Sequence, residues 1–145
     1  MKYTLRQIIG IILWWTEGTR AYRDKRRKNG LIYPVDVTNT NPEIIKNFLD
    51  FLRKDIGIDE SRLKLQLQIH KGDDQKSLES YWSKITNIPI TRFTKTIIRP
   101  KGKKIGKTKG TCKVRYSDKN IYLKLNNLLK DILNLSRKED FKLKT

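Results

Sequence analysis

Leu63-Lys64-Leu65-Gln66-Leu67-Gln68-Ile69-His70 alternates apolar and polar residues without a break. Side chains on a strand point to opposite faces in turn, so the run predicts a half-buried strand. Leu63, Leu65, Leu67 and Ile69 take the buried face. Lys64, Gln66, Gln68 and His70 take the polar one. Helical patterns flank it on both sides. Upstream, Asn41-Pro42 places a capping side chain before a proline in the first turn. Ile44, Ile45, Phe48, Leu49, Leu52 and Ile56 then recur at helical spacing up to Gly57. Downstream, Asp73 or Asp74 caps a helix carrying Leu78, Trp82 and Ile85, which stops before Pro89.

Working outward, residues 4–16 read as a helix that is apolar almost all round, from Leu5 through Ile8, Ile9, Ile11, Ile12, Leu13, Trp14 and Trp15. A helix without a polar face is buried on more than one side. In a chain of 145 residues that implies contact with the core and with a partner subunit. Ile9, Gly10, Leu13 and Trp14 are the expected dimer contacts, with Gly10 allowing close backbone approach. Asn29-Gly30 then precedes Leu31–Thr38, a hairpin signal, and Pro34 points to an edge or a bulge. Two more extended runs are expected at Thr91–Arg99 and Gly110–Ser117, joined as a hairpin by the basic, glycine-bearing loop 100–109. Asp118 begins a last helix with Ile121, Leu125, Leu128, Leu129 and Ile132. A faint αββα order occurs twice, near residues 4–56 and 75–133. The expectation is an α+β fold in one domain, residues 1–135, followed by a charged tail, 136–145.

The chain carries 33 Lys and Arg against 15 Asp and Glu, a net charge of +18. Such an excess repels itself in the compact state and calls for an anionic partner. Nucleic acid is the commonest, because each neutralised phosphate releases a counterion. An anionic membrane is the rival, but no helix pairs a basic face with a greasy one. A hydrophobic content of 37% argues for a folded domain rather than a basic tail. The single cysteine, Cys112, excludes an internal disulfide, and with one histidine no Cys/His metal cage can form. The apolar run Ile8–Trp15 is too short to span a bilayer and lacks a small-residue cleavage site, so a cytoplasmic protein is expected, at the nucleoid in a prokaryote.

The charge clusters. Residues 20–28 hold Arg20, Arg23, Lys25, Arg26, Arg27 and Lys28. Residues 91–117 hold ten basic side chains and no acid: Arg92, Lys95, Arg99, Lys101, Lys103, Lys104, Lys107, Lys109, Lys113 and Arg115. Lys113 and Arg115 share one strand face, and Arg20, Lys64, Gln66, Gln68 and His70 extend it. Paired strands fit the DNA major groove, where Arg and Lys suit guanine and Gln suits adenine. The alternative is a solvated lysine-rich surface. His70 has two readings, a surface or DNA-contacting side chain and a general base. Trp82, Phe93 and Tyr116 have the spacing of core residues rather than of a stacking platform.

Gly10-Ile-Ile-Leu-Trp-Trp-Thr-Glu17-Gly18 resembles the signature helix of the LAGLIDADG homing endonucleases, an apolar helix ending in an acid and a glycine. The following hairpin, the Asn39-Thr40-Asn41-Pro42 helix start and the next strand also fit. The resemblance spans most of residues 4–133. It implies helices packed on an antiparallel, saddle-shaped basic sheet in an αββαβ–αββα order, and a site-specific double-strand DNA endonuclease. It implies a homodimer in which Glu17 of each subunit, with Gly18 where the chain turns out of the helix, forms the metal site that holds Mg²⁺ for phosphodiester hydrolysis. The alternative is the same scaffold without cleavage, binding DNA or intron RNA. Trp14 and Trp15 depart from the tight packing of the signature helices. The helix at residues 75–86 and the absence of an acid–glycine pair in the second unit depart from the family order.

Overall fold

The computed structural model describes residues 2–26, 28, 30–100 and 108–143, with side chains described as far as residue 139. The described elements run α1 (Leu5–Glu17), β1 (Tyr22–Arg23), β2 (Leu31–Ile32), β3 (Val37–Asn39), α2 (Pro42–Phe51), β4 (Lys64–His70), α3 (Gln75–Thr86), β5 (Ile97–Arg99), β6 (Thr111–Arg115) and α4 (Lys119–Leu143). A π-helical turn, Leu52–Ile56, extends α2. These elements make an α+β fold with two sheets. One is the antiparallel pair β1–β2. The other is four-stranded, in the order β3-β6-β4-β5.

Caps written in the sequence start the helices. Thr4 and Gln7 exchange hydrogen bonds with each other's backbone at the start of α1. Asn41 accepts from the Glu43 N–H at 2.9 Å, and Pro42 opens α2. Asp74 accepts from Ser77 N–H at 3.2 Å before α3, and Asp118 from Ile121 N–H at 3.0 Å before α4. The π turn after α2 stops at Gly57, whose φ of 76° is left-handed and suits glycine.

The alternation at residues 63–70 does what the sequence expects. Leu63, Leu65, Leu67 and Ile69 are buried, while Gln66, Gln68 and His70 are half-buried and Lys64 is exposed. On β6, Cys112 and Val114 turn inward beside them. All four helices cover that face. Ile11 and Trp14 of α1, Ile45, Phe48 and Leu49 of α2, Trp82 of α3, and Leu125 and Leu129 of α4 join one hydrophobic cluster. α1 lies against α2 so closely that a side-chain carbon on Gly10 would overlap the Phe51 ring. Arg6 clamps the same contact with two bonds to Asp55, at 2.7 and 3.0 Å.

Several expectations are corrected. The large sheet is mixed rather than antiparallel: β4 and β5 run parallel because α3 carries the chain back across the sheet between them. The runs at 91–99 and 110–117 do not form a hairpin, since β4 lies between β5 and β6. Ile90–Arg92 is a 3₁₀ turn, which leaves β5 only three residues. The run Leu31–Thr38 is split between the two sheets, with Pro34 bridging to Ser117 at the break. Residues 136–143 of the charged tail are helical and continue α4. Ser136-Arg-Lys-Glu139 contains nothing that breaks a helix, and Arg and Lys have good helix propensity.

Candidate nucleic-acid interface

Among the described residues, the other face of the four-stranded sheet carries no helix. Strand register places its side chains in rows. Lys64 stands opposite Arg115, Gln66 opposite Lys113 and Gln68 opposite Thr111. β3 adds Thr38 opposite Lys113, and β5 adds Arg99 beside His70. The Arg99 guanidinium reaches Gln68 Oε1 at 3.5 Å. Six residues expected to share a face therefore do so: Lys64, Gln66, Gln68, His70, Lys113 and Arg115.

One acid sits among them. Asp36 is buried beside β3, accepts the Tyr116 N–H at 3.0 Å and faces Lys113 Nζ at 3.7 Å. Burial pushes its carboxyl above the ordinary aspartate range. The Tyr116 N–H and the Lys113 and Arg115 charges oppose that shift. Lys64 and Arg115 have no ion pair or side-chain hydrogen bond among the described residues. Like charges directly opposite on paired strands repel.

At the Lys64–Arg115 end of the face, the β1–β2 ribbon stands over an open groove of about 480 Å³. Tyr22 and Ile32, a register pair, line the groove from the ribbon. Arg23 and Leu31 take the ribbon's opposite face. Lys25, Arg26 and Lys28 are exposed in the ribbon's turn, with Arg26 held to Asp24 at 3.2 Å. Lys95 and Lys109 are exposed, and the Lys109 carbonyl accepts from Trp82 Nε1 at 2.7 Å. Arg27, Lys101, Lys103, Lys104 and Lys107 lie outside the described residues.

Two of the expected contacts are engaged within their own chain. Arg92 points inward, donating to the Glu60 carbonyl, to Glu60 Oε2 at 3.3 Å and to the Leu63 carbonyl at 3.3 Å. Arg20 donates to the Trp15 carbonyl at 3.2 Å and covers the Trp14 ring at 5.3 Å, so it caps the end of α1. Sequence reasoning missed Tyr22 and Asp36. Tyr22 abuts the basic run, and Asp36 is the one acid in Leu31–Thr38, which was the available signal.

Glu17 is exposed at the end of α1. Gly18 does not turn the chain by a left-handed conformation, since its φ is −87°. It is glycine because a side chain there would run into the Trp14 carbonyl and crowd Asp36. Its backbone bridges Val37, so Glu17 lies beside the β3 edge of the sheet. Among the described residues, no three His, Cys, Asp or Glu side chains gather as a metal site. Glu17 is exposed and belongs to no such group, so a Mg²⁺ site here would need further oxygen ligands, as from a second subunit. The expected dimer face also changes. Gly10 and Trp14 are buried inside their own chain, and α1 leaves Leu5 at 70%, Ile9 at 46% and Trp15 at 42% exposed, with Leu13 half-buried.

Burial pushes the Cys112 thiol far up, so this cysteine is unreactive packing. Among the described residues, no helix is long and apolar enough to cross a membrane. Comparison with known protein families, curated proteins and solved structures yields no match.

Proposed function

We propose that the open face of the four-stranded sheet binds nucleic acid, with double-stranded DNA as the first candidate. One observation carries the reading: the helices leave bare a face on which Lys64, Arg99, Lys113 and Arg115 surround Gln66 and Gln68. The strands of β4 and β6 are roughly 4.8 Å apart. Both are flanked, β6 by β3 and β4 by β5, so the sheet would lie across the major groove, about 12 Å wide, and reach into it with its long side chains. Lys64 and Arg115 then meet phosphates, while Gln66, Gln68 and Lys113 stand where base edges pass.

The test is a salt titration of duplex binding. Wild type should lose affinity steeply with salt, by roughly 0.9 in log–log slope per phosphate contacted. Reversing Lys64, Lys113 and Arg115 to Glu should abolish binding. Reversing Lys124 and Lys130, exposed on α4, should leave most of it. Equal losses from the two sets would reduce the claim to diffuse charge, and tighter binding to structured RNA would replace DNA as the partner.

A second reading is cleavage, in the manner of the LAGLIDADG enzymes. Glu17 supports it. It is an acid at the negative end of a helix, with no ion pair among the described residues. An anion there is unfavourable for the helix, and a cation would offset that cost. The reading requires a second chain to supply the other carboxylate, and Leu5, Ile9 and Trp15 are the apolar contacts left for it. Plasmid nicking with Mg²⁺, compared between wild type and Glu17→Gln, decides it. Equal outcomes for the two proteins would end this reading while leaving the binding proposal intact.

A further inference from the structure

The groove under the β1–β2 ribbon differs from the rest of the face. The central face is the helix-free surface around Gln66, Gln68 and Lys113. The groove is walled on one side by the Tyr22–Ile32 pair and on the other by the ends of β4 and β6. Its volume of about 480 Å³ falls within the roughly 300–1,000 Å³ of small-ligand sites. That is ample for one nucleotide and far too small for a base-paired helix.

Its chemistry is divided in the same way as a nucleotide's. Lys64 and Arg115 stand directly opposite one another, and neither is in an ion pair among the described residues. Asp36, the one acid lining the groove, feels the Arg115 charge but is bonded to the Tyr116 N–H and paired with Lys113. The repulsion between Lys64 and Arg115 is relieved by an anion placed between them. Arg62 also lines the groove, but its charge is committed to Asp118 at 3.0 Å and its plane to the Tyr116 ring at 4.9 Å. That leaves Lys64 and Arg115 as the phosphate-binding pair. Opposite them, Tyr22 presents a half-exposed ring beside apolar Ile32. An aromatic face next to a basic pair is how proteins hold a single unstacked base, at about 1–3 kcal/mol per stack.

We infer that this groove holds one unpaired nucleotide of a bound strand, its phosphate between Lys64 and Arg115 and its base against Tyr22. The inference rests on the nucleic-acid reading of the sheet. It makes the preferred ligand a duplex interrupted by a bulge, a loop or a frayed end. The duplex arm lies on the central face, and the unpaired residue drops into the groove.

The test compares a perfect duplex with the same duplex carrying one bulged 2-aminopurine. Wild type should prefer the bulged form by about tenfold, and the probe's emission should change on binding. Tyr22→Ala should remove both the preference and the emission change, whereas Tyr22→Phe should keep them. Lys64→Ala with Arg115→Ala should erase the preference. Lys113→Ala, outside the groove, should weaken both duplexes alike. Adenosine 5′-monophosphate should compete only in large excess over the bulged duplex, and competition at equal concentration would overturn the assignment to a strand. Equal binding of the two duplexes by wild type, or a preference that survives Tyr22→Ala, overturns this inference alone. No salt-dependent binding of either duplex overturns the reading of the whole face as well.

Discussion

The two faces of the four-stranded sheet are made by the same strands and have opposite fates. Leu65 and Leu67 vanish under four helices, while their neighbours Lys64, Gln66 and Gln68 meet solvent. The buried face holds the fold together through apolar area and close packing. The open face contributes little to stability and carries most of the charge that can be placed on the sheet. The contrast separates residues that hold the fold from residues proposed to bind, and each variant below tests one side of that division.

The largest effect is expected from the buried side. Phe48→Ala should cost about 3–5 kcal/mol by removing a fully buried ring. Denaturant melts would show it, and a loss below about 1 kcal/mol would mean that α2 is not held as described. Next comes Gly10→Ala, expected to cost about 1–3 kcal/mol because its methyl meets Phe51. This is a sharper probe than most, since alanine is otherwise the better helix residue. A neutral or stabilising outcome would show that α1 and α2 can separate freely.

Arg92→Ala tests the border between the two sets. It should destabilise by about 1–3 kcal/mol through the carbonyls it leaves unpaired, and leave the salt slope of binding unchanged. A changed slope with unchanged stability would return Arg92 to the interface. Lys64→Ala should do the reverse. It should shift stability by no more than about 0.5 kcal/mol and lower the salt slope by about 1.

The smallest effect concerns Asp36, the acid on the basic face. Burial raises its carboxyl pKa in the folded chain. The stability it contributes is therefore fully present below the unfolded value, roughly 3.9, and is lost as pH rises through the folded one. Asp36→Asn keeps an acceptor for the Tyr116 N–H and removes the buried charge. It should melt slightly above wild type at pH 7, with the gap closing as pH falls toward 4. A gap that widens on acidification would reverse the sign and show that the attraction of Lys113 outweighs the cost of burial.

Local chemistry was readable in the sequence. Alternation at 63–70 and 111–115 placed both faces, and Asn41, Asp74 and Asp118 announced three helix starts. What was not readable depends on partners far along the chain. No local pattern reveals that β4 slips between β5 and β6, because pairing is decided by long-range contacts. The fates of Arg20 and Arg92 were hidden for the same reason: a guanidinium in a sequence does not disclose which carbonyl it will meet. Gly10 reads as a close-approach residue from the sequence alone, but the surface it approaches belongs to its own chain.

The position of β6 has a consequence for how the chain is made. This strand sits between β3 and β4, yet of the four strands in this sheet it comes last in the chain. Val37 must wait for Val114 before β3 has a partner in the sheet. Until residues 111–115 emerge, β3 and β4 cannot be joined, and the leucines of β4 have an incomplete roof and floor. Loops of this length close slowly, and exposed strands invite association during the delay. The net charge of +18 would work against that association, since unfinished copies repel one another while they wait for their central strand.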